Sequence, residues 1–249
     1  MSMSPVLHAE TDETSGDNTI TTMVGAGYQH LPTWIGSRNT RYQAIPYVLF
    51  DWPNHVTFST VDGLNVDLIG DKQLHGGLYA NYMWGRDRKD LSRRLSRIVH
   101  SLSPRLHAGG YLEYQVNKPF SFGGNLSHDT QGAGAYLDLY ADHDLPSIGY
   151  LEHSVEVQWQ AMNGAAMRRF FGVRRMQAQK INTQHWDPTG GSQQISFSYN
   201  AYMPTSQHTG FVLGLEYTRL LGSARNSPLV KRFGTPNQFA TSLAFVYKL

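Results

Sequence analysis

The chain has 249 residues, of which 40% are hydrophobic and 16% charged, and its 21 Lys and Arg against 19 Asp and Glu leave a formal net charge of +2. This near-neutral balance argues neither for nor against nucleic acid, but no basic and aromatic-interleaved motif is present, so no nucleic-acid partner is expected, and the absence of cysteine excludes disulfides and thiolate metal sites. No stretch approaches the roughly 18 consecutive apolar residues of a membrane-spanning helix.

Residues 1–17 read as a polar leader or the remnant of a signal region. Met1–Ala9 is too short for a full basic-plus-apolar signal, and Glu10–Asn18 is acidic and polar with no strand pattern. No later composition break resembles a linker, so residues 18–249 read as one domain. Alternation with a period of two begins at Asn18, where Ile20, Val24 and Tyr28 share a face opposite Thr21, Gly25 and Gly27. A loop punctuated by Pro32 and Gly36-Ser37 follows, then a strand over Gln43–Trp52. His55–Ile69 keeps one apolar parity throughout, through Val56, Phe58, Leu64, Val66 and Leu68. One long strand fits this pattern, and so does a hairpin with a three-residue loop at Val61-Asp62-Gly63.

Leu74–Trp84 alternates again. Gly85–Pro104 is arginine-rich, with Leu91, Leu95, Ile98 and Leu102 at helical spacing, so a short amphipathic helix is expected there. Alternating strands follow around Leu106–Val116, Phe120–Ser127, Ala133–Asp142 and Glu152–Gln160. Tight turns are expected at Asn117-Lys118-Pro119 and Leu145-Pro146-Ser147. Asn163–Gly191 reads as a long basic loop, interrupted by the apolar Phe170–Val173. Strands around Gln194–Met203 and Phe211–Thr218 lead through a loop, Gly222–Pro236, to the last strand. There Phe239, Leu243, Phe245, Tyr247 and Leu249 oppose Gln238, Ala240, Ser242 and Ala244.

Segments of about ten residues span a bilayer when tilted, and short turns alternating with long loops are the habit of an outer-membrane barrel. The expectation is an all-β fold: a single antiparallel transmembrane β-barrel with long loops on one rim and tight turns on the other. An even count places both termini on one rim, which favours about twelve strands, with ten as the alternative. A soluble β-sandwich is the rival fold.

The inward face of such a barrel carries Glu113, Asp138, Asp142, Glu152, Glu156 and Glu216. These acids suit either a cation-preferring lumen or a polar interior that pairs within itself. Asp138 and Asp142 stand roughly 13 Å apart along a strand, too far to share a proton or a metal ion. Serine hydrolysis would need Ser154 to meet His107 or His75 from other strands, because adjacent His153 points to the opposite face. The expectation is no catalytic set, no metal site and no cofactor. The basic loops Arg86–Arg97 and Arg168–Lys180 suit lipopolysaccharide phosphates or serve as solvated loops.

Several stretches together resemble the MipA/OmpV family of outer-membrane proteins. They are Gly25–Ser37 with Ile45–Val48, the Gly63-Leu64 strand, Gly85-Arg86, Phe171-Gly172-Val173 and Tyr217–Val230. The matching positions include Pro32, Gly36, Ser37, Pro46, Gly85, Arg86, Gly172, Leu221, Gly222, Ser227 and Pro228. Ser223, Asn226 and the Arg38-Asn39 region depart from the family's acidic pattern, and Leu249 departs from the aromatic end of most such barrels. The resemblance implies a monomeric barrel in the Gram-negative outer membrane, among lipid and lipopolysaccharide. It also implies a scaffold linked to murein synthesis and turnover, with a lytic murein transglycosylase and a penicillin-binding synthase as partners. A narrow pore or small-ligand barrel with an acidic lumen is the alternative, and an outer-membrane hydrolase a third possibility.

Overall fold

The computed structural model describes residues 20–93 and 95–249. The expected leader at residues 1–17 lies outside the described residues. The strands are β1 (Thr21–Pro32), β2 (Thr40–Trp52), β3 (Val56–Ser59), β4 (Gly63–Gly70), β5 (Leu74–Met83) and β6 (Arg105–Asn117). They continue as β7 (Phe120–Asp129), β8 (Ala135–Ile148), β9 (Leu151–Met162), β10 (Gly191–Pro204), β11 (Thr209–Leu220) and β12 (Asn237–Lys248). Each pairs with its neighbours in sequence, and β12 returns to pair with β1, from Met23 opposite Lys248 to His30 opposite Thr241. The result is a closed antiparallel barrel of twelve strands.

The period of two explains why these residues close this way. On β12, Phe239, Leu243, Phe245 and Tyr247 point outward and Gln238, Ala240, Ala244 and Val246 are buried inside. The same alternation runs around the wall, with Tyr28, Leu78, Leu126 and Phe197 exposed outside. A soluble monomer does not present a continuous apolar band of this extent. In a bilayer the band meets lipid, and closure leaves no unpaired edge at the β1–β12 seam. Among the described residues no helix is long and apolar enough to cross a membrane.

His55–Ile69 is a hairpin, with a three-residue loop at Thr60–Asp62, one position earlier than its sequence suggested. Ser59 sets that position: its Oγ accepts the Val61 and Asp62 N–H groups at 3.0 and 3.3 Å and turns the chain immediately. Gly63 then starts β4 with φ +95°, and a Cβ there would run into the Ala80 carbonyl. The β8–β9 turn is displaced the other way. Pro146 lies within β8, where the register with β9 slips between Leu145 and Ile148, and Gly149 with φ +64° makes the turn. A bulge at a strand end is a place where a missing N–H does no harm.

The long connections are more ordered than their sequence suggests. Residues 163–190 contain helices α1 (Gly164–Phe171) and α2 (Arg175–Ile181), and residues 221–236 contain α3 (Gly222–Asn226) and α4 (Pro228–Phe233). Helices of five to eight residues are too short to show a periodicity of their own. The expected helix in Gly85–Pro104 appears instead as a 3-10 turn at Arg88–Asp90, with helical-type bonds from Ser96 to Ser92 and from Val99 to Leu95. Its apolar residues still find a core. Leu91, Leu95 and Val99 are buried, and Ile98 and Leu102 pack beside them.

Candidate functional site

The long-loop rim is built as a cap. Trp34, Leu91, Leu95, Met167, Phe171, Val173, Ile181, Leu220 and Val230 share one apolar core drawn from four separate connections. Loops on a barrel rim need no such core to remain soluble. A buried cluster of this size gives them a fixed arrangement, because each apolar side chain removed from water contributes roughly 1.5–3 kcal/mol.

Short polar contacts lock the connections to one another. Ser227, fully buried, donates from Oγ to the Phe171 carbonyl at 2.7 Å and accepts the Leu229 N–H at 3.3 Å, capping α4. Pro228 follows at the first helical position, where a missing N–H costs nothing. Gly36 has φ +97°, and a Cβ there would press on Val230. Its N–H donates to Gln238 Oε1 at 2.8 Å, and Ser37 pairs with Gly234 as an isolated bridge. Leu221 donates its N–H to the Gln193 carbonyl at 2.7 Å just before Gly222 opens α3.

Arg86 is 5% exposed, donates to the Phe170 carbonyl at 3.4 Å and lies over the Trp34 ring at 5.7 Å. Burial, and then the neighbouring Arg169, lowers its pKa to about 10. Next to it Asp129 holds Arg105 at 2.6 Å and Arg169 at 3.5 Å. Burial, and then Arg105, lowers the Arg169 pKa as well. One buried carboxylate therefore anchors two guanidiniums between β6, β7 and α1.

The motif positions converge here. Pro32 ends β1 at this rim, and Gly36, Ser37, Gly85, Arg86, Gly172, Leu221, Gly222, Ser227 and Pro228 all lie in or beside the cap. Gly85 packs against the Leu102 carbonyl and Gly172 against that of Arg168 too closely for any side chain. Pro46 is the exception, in the middle of β2. The spacing of these residues gave no hint that they meet. The bulky apolar residues beside them, Trp34 and Phe171, were the available signal.

The cap is also basic. Segments 33–39, 84–104, 163–190 and 221–236 hold fifteen of the 21 Lys and Arg but three of the 19 Asp and Glu, so the chain's near-neutral total hides a strong polarity. Arg93 and Arg97 from one loop and Lys180 from another border an open recess of about 590 Å³, together with Ile98.

The opposite end is acidic. Glu113, Asp142 and Glu156 meet Asp62 and Asp144 around a cavity of about 80 Å³, which also touches Tyr79, Tyr140 and Pro119. Pro119 lies in the β6–β7 turn, so this vestibule reaches the tight-turn end. Tyr140 donates to Glu113 at 2.7 Å. The volume suits a few waters rather than a wide channel. Asp138 is buried farther up β8, opposite Gln160. Glu216 is 1% exposed and accepts from Thr218 Oγ1 at 2.7 Å, within a packed polar wall that includes Gln194, Ser196 and Asn200. Glu152 sits near the β8–β9 turn, opposite Tyr202.

Ser154 does not join a catalytic set with His107. Ser154 pairs opposite Asn200 and Asp144 near the turn end of the barrel. His107 lies opposite Asp129 at the cap end and stacks on Tyr136 at 4.0 Å. His75 stands on β5, four strands around the wall from Ser154. His153 hydrogen bonds with Tyr199 at 3.2 Å. Among the described residues no group of His, Asp and Glu is arranged to hold a metal ion.

Comparison with known proteins adds the family. Residues 24–249 match the model described as MltA-interacting protein MipA. No curated protein sequence matches the chain. Among solved structures, the NanC porin aligns over 92% of this chain and 100% of its own at 9% identity, with a TM-score of 0.47. The outer membrane channel DcaP of Acinetobacter baumannii aligns over 96% and 99% at 6% identity and TM-score 0.41. The anion-selective porin from Comamonas acidovorans aligns over 94% and 99% at 11% identity and TM-score 0.32. Those scores carry no inference about function. The architecture rests on the chain's own strand pairing.

Proposed function

We propose, from the premise that this chain belongs to the MltA-interacting protein MipA family, that it is a non-enzymatic outer-membrane scaffold that helps organise murein synthesis and turnover. Family and barrel together point to the outer membrane. One observation supports the scaffold role over a conduit: the loop rim carries a cap with its own apolar core, above an interior where polar side chains and an apolar band are both buried. A conduit needs a continuous wet path, and a cap built from four connections opposes one. A fixed cap and a rigid wall instead suit a protein whose work is to hold partners in place.

The family description names an interaction with MltA. The proposed partners of this chain are accordingly a lytic murein transglycosylase and a penicillin-binding synthase. The acidic vestibule offers them a place at the tight-turn rim, which lies on the periplasmic side when both termini do. Asp142, Asp144 and Glu113 would attract a basic segment there. The opposite, basic rim suits lipopolysaccharide, whose phosphates complement Arg93, Arg97 and Lys180.

The test is retention of a purified lytic murein transglycosylase on the immobilised, folded barrel. Retention that weakens with salt and with Asp142→Asn/Asp144→Asn supports the proposal. A partner that flows through at low salt overturns it.

A further inference from the structure

The tight-turn rim carries outward side chains that neither the vestibule nor the cap uses. His55, His143 and His208 stand there, each beside an outward-facing aromatic ring. His55, in the β2–β3 turn, stacks on Trp52 with ring centroids 4.3 Å apart and 13° between planes. His208, in the β10–β11 turn, stacks on Tyr247 at 5.7 Å and 19°. His143 on β8 lies opposite Phe120 of β7 and tilts against its ring at 6.2 Å. The three histidines are exposed. Trp52 and Tyr247 are 40% and 44% exposed on the lipid-facing wall, and Phe120 shares the face of exposed Phe122. The pairs lie at separate places around the closed wall.

Each imidazole is held in the same way. Nδ1 of His55 lies 3.0 Å from the Pro53 carbonyl, Nδ1 of His143 3.0 Å from that of Pro119, and Nδ1 of His208 3.2 Å from that of Lys248. A carbonyl oxygen only accepts, so Nδ1 carries the proton in each ring. In the neutral tautomer fixed this way, Nε2 is a bare acceptor. The two ring nitrogens diverge, so binding Nδ1 to the wall turns Nε2 away from that carbonyl. Among the described residues none hydrogen bonds to Nε2 of these three rings. His153, on the same rim, is the contrast. Its Nε2 meets the Pro146 carbonyl at 3.1 Å and its Nδ1 the Tyr199 hydroxyl at 3.2 Å, so both nitrogens are engaged.

Such a pair selects its ligand chemically. An acceptor nitrogen needs a donor, and a phosphodiester anion has none to give. The face of an aromatic ring beside it attracts a cation. A primary ammonium supplies both the N–H donors and the positive charge. Around a membrane barrel, the group of that kind at the depth of the rim is the headgroup of an aminophospholipid.

We propose that His55, His143 and His208, with Trp52, Phe120 and Tyr247, bind the ammonium headgroups of phosphatidylethanolamine in the turn-side leaflet. The Nε2 lone pair accepts an ammonium N–H, and the neighbouring ring face stabilises the charge. Aromatic girdles anchor any barrel at its interfaces; the aligned acceptors add a choice of headgroup. Choline has no N–H and keeps only the ring contact. Phosphatidylglycerol offers a hydroxyl but no cation. The site requires only that the barrel lie in a bilayer and does not depend on the scaffold role.

The test is native mass spectrometry of the full chain, folded in detergent with an equimolar mixture of phosphatidylethanolamine, phosphatidylcholine and phosphatidylglycerol of identical acyl chains. Each protein is first shown to fold by its heat-sensitive migration on a gel. Wild-type protein should retain phosphatidylethanolamine several-fold over the other two. His55→Phe/His143→Phe/His208→Phe keeps the rings, removes the acceptors and should level the three lipids. His55→Gln/His143→Gln/His208→Gln places an amide oxygen near the former Nε2 and should restore part of the preference. His153→Phe should leave the preference intact. Equal retention of the three lipids by wild-type protein overturns the proposal and needs no variant. So does a preference for phosphatidylglycerol, the mark of an anion-binding rim. A phosphatidylethanolamine preference that survives the triple Phe change, or that His153→Phe abolishes equally, overturns it as well.

Discussion

The two ends of the barrel are held by different physics. At the loop rim, a cap of short helices and turns shares one apolar core and seals its seams with buried hydrogen bonds at Gly36, Ser227 and Asp129. Toward the turn rim a smaller apolar cluster around Met23, Tyr202, Val212 and Val246 lines one side of the interior, and across from it carboxylates gather around a small vestibule. The cap is basic and shaped by packing, whereas the vestibule is acidic and shaped by strand register. Substitutions at the first end should therefore act on structure, and substitutions at the second on charge and binding.

The sharpest way to break that contrast is at Phe171, which is completely buried in the cap core. Phe171→Ala should cost the cap about 3–5 kcal/mol. Faster proteolysis within residues 163–190 should report it, while the barrel keeps its heat-sensitive migration. A variant that loses both together would mean that cap and barrel are one cooperative unit. Asp129→Asn should come next, at about 3 kcal/mol, because it leaves Arg105 and Arg169 without their shared carboxylate. Hydrogen exchange at the β7 end and in α1 is the measurement. Ser227→Ala removes the cap of α4 and the bond to the Phe171 carbonyl, for about 1–2 kcal/mol. Its effect should be confined to residues 221–236. At the other end, Asp142→Asn should leave stability within about 0.5 kcal/mol, as expected of a partly solvated site without a close partner cation. Its effect belongs in salt-dependent retention of a basic partner.

Much of the barrel was legible because period-two patterns extend over ten or more residues and repeat. The last strand, with Phe239, Leu243, Phe245 and Tyr247 on one face, reads as a strand with unlike faces, and it is the repetition of that pattern along the chain that favours a barrel over a sandwich. The hairpin in His55–Ile69 was legible as an even-count argument, but its loop position depended on the Ser59 hydroxyl, which no periodicity reports. Pro146 misled for a related reason: it reads as a turn residue, yet a bulge accommodates it in the strand and Gly149 turns instead. The cap was the least legible part. Its helices are too short to show a repeat, and its core is assembled from residues as distant as Trp34 and Val230. The motif residues were visible as a set, but their convergence is a property of the closed barrel. The short reach of the β3–β4 hairpin was invisible for the same reason: β2 has 13 residues but pairs with β3 only from Leu49 to Trp52.

The most direct test of the scaffold account is single-channel recording of the purified barrel in planar bilayers. A capped barrel with a packed interior should insert without steady conductance, and Phe171→Ala should introduce flickering current as the cap loosens. Steady ohmic channels in the wild-type protein, with cation preference abolished by neutralising Glu113, Asp142 and Glu156, would contradict it and make the acidic lumen a pore.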